Sequence, residues 1–227
     1  MAAEPDGTTP ISRARVPLTK ERVLDEAVRL ADERGLSSLT MRGLARALDV
    51  EAMSLYHHVA DKDEILNGMV DLVFAEIDLP SAVQDWKSAM RRRATSARQA
   101  LTRHPWALNV MQSRATPGPA TLRHHDYMLG TLRKAGFTLP LAAHAISVID
   151  SYVYGFTLQA LNLPFDTTQT LQDVADGMLQ QMPTDQYPHL TEMIIDHALK
   201  PGYAYADEFD YGLDLVLDGL ERALPAP

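Results

Sequence analysis

Apolar residues recur along this chain at spacings of three and four, and no convincing one-by-one alternation interrupts them. That period belongs to helices with one buried stripe rather than to strands. Val23, Ala27, Leu30 and Ala31 form the first stripe, with Thr19 placed to cap its start and Gly35 to stop it. Thr40 can cap a second, short helix, MRGLARAL, whose Leu44, Ala45 and Leu48 share a face. A turn at Asp49 and Val50 leads to a third helix near 52–58. Asp61, with Glu64 three residues later, has a capping-box pattern. It opens a fourth helix, KDEILNGMVDLVFAEI, ending before Pro80. Beyond Pro80, prolines cut the chain into further helical pieces near 82–103, 105–112, 118–136, 139–163, 167–182, 187–199 and 203–224. The expected fold is all-α, a three-helix head with a larger helical body. The expected division is a mobile N-terminal arm at 1–17, a head at 18–62 and a body at 63–227. The fourth helix joins head and body with no flexible linker between them.

Composition narrows the class. The chain has 227 residues, 46% hydrophobic and 22% charged, enough for one or two domains with a real core. It has no cysteine, which removes disulfides and thiolate metal sites and suits a reducing, cytoplasmic setting. The first residues, MAAEPDGTTPISRARVP, lack the apolar run of a signal peptide. The longest weakly charged run, 141–163, carries Asp150 in its middle. A carboxylate there is expensive in lipid, so a helix buried on two faces explains the run better than a membrane span. Net charge is −9, which argues against indiscriminate nucleic-acid binding. The charge is uneven, however. Residues 1–62 hold nine Lys or Arg against ten Asp or Glu, and residues 63–227 hold twelve against twenty. The nearly neutral head can still gather its cations on one face.

The second and third helices, joined by a tight turn behind a longer helix, make a helix-turn-helix unit. In such a unit the second helix of the pair enters the major groove. Here it reads EAMSLYHH. Leu55 is spaced from Val50 and Val59 to face the core, which leaves Ala52, Met53, Ser54, Tyr56 and His57 to face outward. Small or flexible side chains suit base edges and the thymine methyl, while Tyr56 and Lys62 suit phosphate oxygens. The spacing alone also admits a plain helical corner with Tyr56 packed and Lys62 solvated. Adjacent helical histidines point about 100° apart, so His57 and His58 do not chelate one ion; no metal or other cofactor is expected.

The run LTKERVLDEAVRLADERGLSSLTMRGLARALDVEAMSLYHHVADKDEILNGM resembles the DNA-binding domain of the TetR family of transcriptional repressors over about 50 residues without a gap. Its parts include Gly35-Leu36, Leu39-Thr40-Met41-Arg42, Leu44-Ala45, Val50, Leu55-Tyr56-His57-His58-Val59 and Lys62-Asp63-Glu64. The resemblance implies phosphate contacts from Thr40, Tyr56 and Lys62 and phosphate or base contacts from Arg42. It places sequence choice on Ala52, Met53 and Ser54, a DNA contact at His57, and a structural role for His58. Asp49 departs from the glycine usual in the turn, yet aspartate tolerates a left-handed backbone better than most residues.

The body must then supply a dimer and a switch. Phe209, Leu213, Val216, Leu217 and Leu220 form one stripe, and Gly155 interrupts the 141–163 helix. Both helices look more apolar than a monomer needs, and SYVYGFTLQ and EFDYGLDLVLDGLE resemble the family's dimer helices. A homodimer would read a palindromic operator in grooves about 34–36 Å apart. Trp86, Trp106, Met111, His125, Met128, Tyr152 and Phe156 suit a pocket for an unknown small-molecule effector, since Met and aromatics adapt to apolar ligands; an ordinary core accounts for each of them too. The chain looks most similar to the branch containing the tetracycline repressor. The histidine that helps hold magnesium there falls near Met111, and an acidic partner near Gln159. A thioether is a poor ligand for a hard cation, so a magnesium–tetracycline complex is not the expected effector. The expected function is a ligand-responsive repressor rather than an enzyme. His124, His125 and Asp126, or His104 with Asp150, suggest catalysis, but consecutive helical residues do not converge and no catalytic motif surrounds them. A small-molecule carrier without DNA recognition is the other alternative.

Overall fold

The computed structural model describes residues 17–79, 85–114, 116–165 and 168–224, and among them the chain is helical with no strand. The N-terminal arm expected at 1–17 lies outside the described residues except for Pro17. The head begins with α1, Lys20–Arg34, whose first turn is capped by Thr19 Oγ1 accepting from the Arg22 N–H at 3.2 Å. Gly35 ends it at φ 76°, a conformation that favours glycine. A 3-10 turn at Leu36–Ser38 leads to α2, Met41–Ala47, where Thr40 Oγ1 accepts from the Gly43 N–H at 3.0 Å. Asp49 then takes φ 55° and turns the chain into α3, Ala52–Leu55. The left-handed turn is present with aspartate in it. The third helix is shorter than 52–58, because the His58 and Val59 N–H groups both turn back onto the Leu55 carbonyl. Val23, Ala27, Leu44, Leu55 and Ile65 are buried together beneath these helices.

Helix α4, Lys62–Ala75, leaves the head and enters the body. Asp61 Oδ1 accepts from the Glu64 N–H at 2.8 Å, while Glu64 Oε2 accepts from the Ala60 N–H at 2.6 Å, so the capping box is complete. Glu64 also pairs with Lys20 of α1. The Ala60 N–H, and then Lys20, hold the Glu64 carboxyl below its ordinary pKa. The helix ends short of Ile77, although Ile77 is still buried.

The body is built around α5, Trp86–Arg103, which touches α4, α7 (Pro119–Lys134), α8 (Leu139–Leu161) and α11 (Glu208–Arg222). Ala89, Ala94, Ala97 and Ala100 are fully or almost fully buried on it, so four helices approach a spine of methyl groups. Between α5 and α7 lie α6, Ala107–Val110, and a 3-10 turn at Met111–Ser113. Between α8 and α11 lie α9, Thr168–Gln181, and α10, Pro188–Met193, which a π turn at Ile194–Ala198 extends.

Helices α8 and α11 meet closely within one chain. The Tyr152 hydroxyl lies 3.1 Å from the Glu208 carbonyl and 2.9 Å from that of Phe209, and a Cβ on Gly212 would come within 2.3 Å of that hydroxyl. This corrects the expected dimer stripe. Phe209, Leu213, Leu217 and Leu220 are buried in the protomer's own core, and Val216 is half-buried beside them. The large apolar side chains left outside are Tyr211 and Leu215 on α11 and Leu139, Val148, Leu158 and Leu161 on α8, where Gly155 is exposed with open space at its α-carbon. Among the described residues no helix is long and apolar enough to cross a membrane; the 141–163 run is largely α8, with Ala145, Ile149 and Val153 buried.

Candidate nucleic-acid interface and internal cavity

The expected DNA-contact residues lie at the start of α2, on and just after α3, and at the start of α4. Thr40, Arg42, His57 and Lys62 are exposed, Met53 is 71% and Tyr56 47% accessible, and Ser54 is half-buried. Ala52 differs from expectation, since it packs partly against the core. A side chain as exposed as that of Met53 makes little contribution to the core. His58 is half-buried, as a structural residue would be.

Head and body are joined by polar contacts as well as by the chain. His104, at the end of α5, places one ring nitrogen 2.9 Å from Asp32 Oδ1 on α1 and the other 3.0 Å from Glu76 Oε1 at the end of α4. The Trp106 indole N–H donates to the same Asp32 oxygen at 2.7 Å. Burial alone would raise the Glu76 carboxyl, but hydrogen bonds from Arg103 and His104 outweigh it and hold its pKa below the ordinary value. Two further carboxylates of α4 reach the body. Asp63 accepts from Arg114 at 2.8 Å, and Asp71 accepts from the Thr121 N–H at 2.8 Å, the Thr121 hydroxyl at 2.9 Å and the Ala120 N–H at 3.2 Å. Asp71 thus satisfies the free donors at the start of α7.

Residues of α4, α7, α8 and the segment after α6 line a partly open cavity of about 330 Å³. Val70, Phe74 and Met111 give it apolar walls; Asn67, Arg114, Thr121, His125, Asp150 and Tyr154 give it polar ones. Behind the wall, Arg93 is fully buried, its Nη1 2.5 Å from Asp150 Oδ1 and its Nε donating to His124 Nε2 at 2.8 Å. Burial, then Arg93 and His125, push the His124 pKa down to about 3, so it stands neutral as the acceptor. Burial, then Asp150, raise that of Tyr154.

Of the seven expected pocket residues, Met111 and His125 line this cavity. Met128 is fully buried in the core, and Trp86 lies in an outer groove with Tyr127 and Lys134, its ring edge-on to Phe137. Trp106 belongs to the joint with Asp32. Tyr152 and Phe156 stack with Phe209 and Tyr205 under Arg98, whose guanidinium carbon lies 5.0 Å from the Phe156 ring and 4.7 Å from the Phe209 ring. Arg93, Arg114, His124 and Tyr154 were not expected. Asp150 was the visible signal, because a carboxylate in an apolar helix requires a buried cation. Arg93 stands on the apolar stripe of α5 with Met90 and Ala97. His104 and Asp150 have different partners, and among the described residues no three His, Asp or Glu could hold a metal ion together.

This fold and these sites define a helix-turn-helix transcriptional regulator with a helical ligand-binding body. The sequence profile described as bacterial regulatory proteins, tetR family, matches residues 23–69, and that of the tetracyclin repressor-like C-terminal domain matches 79–224; the chain belongs to the tetR family. It is similar to the HTH-type transcriptional repressor DrrR1 of Streptomyces coeruleorubidus, 33% identical over 224 residues, 95% of this chain and 82% of that one. Tetracycline repressor class A from transposon 1721 of Escherichia coli is 28% identical over 208 residues, 90% of this chain and 91% of the repressor. Among solved structures, ActR of Streptomyces coelicolor in complex with actinorhodin superposes with a TM-score of 0.78 at 25% identity, covering 93% of this chain and 100% of ActR.

Proposed function

We propose that two copies of this chain hold a palindromic operator through the Met53–Lys62 face and release it when a small molecule occupies the cavity. One observation carries this reading. Helix α4 bears Lys62 at the DNA face and contributes Asn67, Val70 and Phe74 to the cavity wall. A ligand that favours a different placement of α4 changes the spacing of the two heads, and a coupling of about 1–3 kcal/mol would change operator affinity about 5- to 150-fold. Within the head, Thr40, Tyr56 and Lys62 serve as phosphate contacts, Arg42 as a phosphate or base contact, His57 as a DNA contact, and Met53 and Ser54 as the residues that choose sequence.

Selection of bound duplexes from a random pool tests the first half. A palindrome should emerge. Tyr56→Ala and Lys62→Ala should weaken binding to every sequence, Lys62→Ala lowering the salt slope by about 1, whereas Met53 or Ser54 changes should alter preference. Equal, sequence-blind losses from all four would contradict these assignments, and no salt-sensitive binding at all would leave a small-molecule carrier. The second half starts from actinorhodin, the ligand of the ActR complex. Asp71→Cys with Thr121→Cys tethers α4 to α7 in a chain that has no other cysteine. If the oxidised protein still releases DNA on ligand addition as the reduced protein does, α4 is not the route.

A further inference from the structure

Among the described residues, the buried side-chain nitrogens and oxygens without a hydrogen-bond partner are Arg93 Nη2, Arg114 Nε and His124 Nδ1. All three are nitrogens, and no oxygen acceptor is in that condition. The arrangement explains why. Arg93 spends Nη1 on Asp150 and Nε on His124. Neutral His124 accepts at Nε2, so its hydrogen sits on Nδ1 and points at nothing. Arg114 lines the cavity, donating one amino group to Asp63 and the other to Ser113. Burying a donor without an acceptor is costly, and of the three it is Arg114 Nε that belongs to a residue of the cavity wall, where an oxygen atom could meet it.

The charges point the same way. Asp150 is already neutralised by Arg93 at 2.5 Å. The carboxylate facing Arg114 is Asp63, whose side chain is 77% exposed and therefore screened by solvent, while that of Arg114 is 21% exposed. Arg114 is thus the cation that lines the cavity, and its countercharge is one that solvent screens. Its apolar lining, Phe74 and Met111, with the His125 ring 5.9 Å from that of Phe74, suits a flat apolar body. About 330 Å³ is small for an effector pocket and fits two or three fused rings.

We propose that the cavity takes a planar aromatic acid, its carboxylate or ionised phenol accepting a hydrogen bond from Arg114 and its rings lying against Phe74 and Met111. This rests on the effector reading above, which gives the cavity a ligand; the acid class is the addition. An interaction of an anion with a guanidinium that its neutral isostere cannot make is worth about 10- to 100-fold in affinity.

The test is direct binding to the full chain by titration calorimetry, with an anthraquinone carboxylate and its carboxamide as probes of nearly equal shape. The carboxylate should bind about 10- to 100-fold more tightly. Arg114→Gln should bring the two within about threefold by weakening the acid alone, and Arg114→Lys should restore part of the preference. Equal affinities in the unaltered protein, or a preference that survives Arg114→Gln, would overturn the proposal. So would failure of both probes to bind in a preparation that binds operator DNA. Operator affinity measured alongside separates the two readings: an acid that binds through Arg114 yet leaves DNA affinity unchanged upholds the ligand class and removes the effector role.

Discussion

His124 shows how far one buried side chain can set the behaviour of the molecule with acidity. Its pKa, pushed to about 3 in the folded chain, lies well under the ordinary 6.5 that the unfolded chain retains. Between those values the unfolded state holds a proton that the folded state does not, so stability is complete above about 6.5 and falls as pH drops, by about 1.4 kcal/mol per unit. Between pH 7 and pH 5, His124 should therefore cost about 2 kcal/mol. His124→Asn, which can still accept from Arg93 and does not titrate, should lack this loss when urea unfolding is compared at the two pH values. Identical losses in both proteins would show that His124 is not buried neutral. The sequence disclosed only part of this network. Asp150 stands out in an apolar run, but Arg93 follows Arg91 and Arg92, which are half-buried and exposed. Which of three successive arginines turns inward depends on helix phase, and that is fixed by packing against α7 and α8.

At the scale of elements, helix starts were far easier to read than helix ends. Thr19, Thr40 and Asp61 each cap as their side chains dictate, because the donors they satisfy lie within three residues. The end of α4 had no such local mark. Ile77 continues the buried stripe beyond Ala75, and the Asp78 N–H goes instead to Ser96 Oγ on α5 at 2.9 Å, a partner remote in sequence. Asp71 illustrates the same reach. It caps a helix that begins 48 residues later, at Pro119, and a Cβ on Gly118 would sit 2.3 Å from its carboxylate carbon. Asp71→Ala should destabilise the chain by about 0.5–2 kcal/mol and Asp71→Asn by less, read from denaturant midpoints. If the effector acts through α4, Asp71→Ala should also reduce ligand-driven release of DNA more than it reduces ligand affinity. An equal fall in both would place Asp71 in binding rather than coupling.

For the whole molecule, the most apolar face of α11 misled, because periodicity finds the stripe that a helix buries without telling whose core receives it. Phe209, Leu213 and Leu217 belong to the protomer. The exposed apolar side chains on α11, Tyr211 and Leu215, are interleaved with Asp210 and Asp214, and with Val148 and Leu158 of α8 they are the positions we propose for contact with a second copy. Leu158→Glu with Leu215→Glu should leave a folded monomer in sedimentation. Operator affinity should then fall about 10²- to 10⁴-fold, since the second head no longer benefits from the first. A double variant that remains a dimer would move the interface elsewhere.

The alanines of α5 carry a consequence for how such a protein diverges. With methyl groups setting the distance between four helices, a larger side chain there would wedge the bundle apart and disturb the reach of both heads together. Met111 and His125 of the chamber wall lie on the segment after α6 and on α7, not on that spine. A lineage descending from this chain could therefore exchange Met111 or His125 and come to answer a new chemical signal while its stride along the double helix stayed the same.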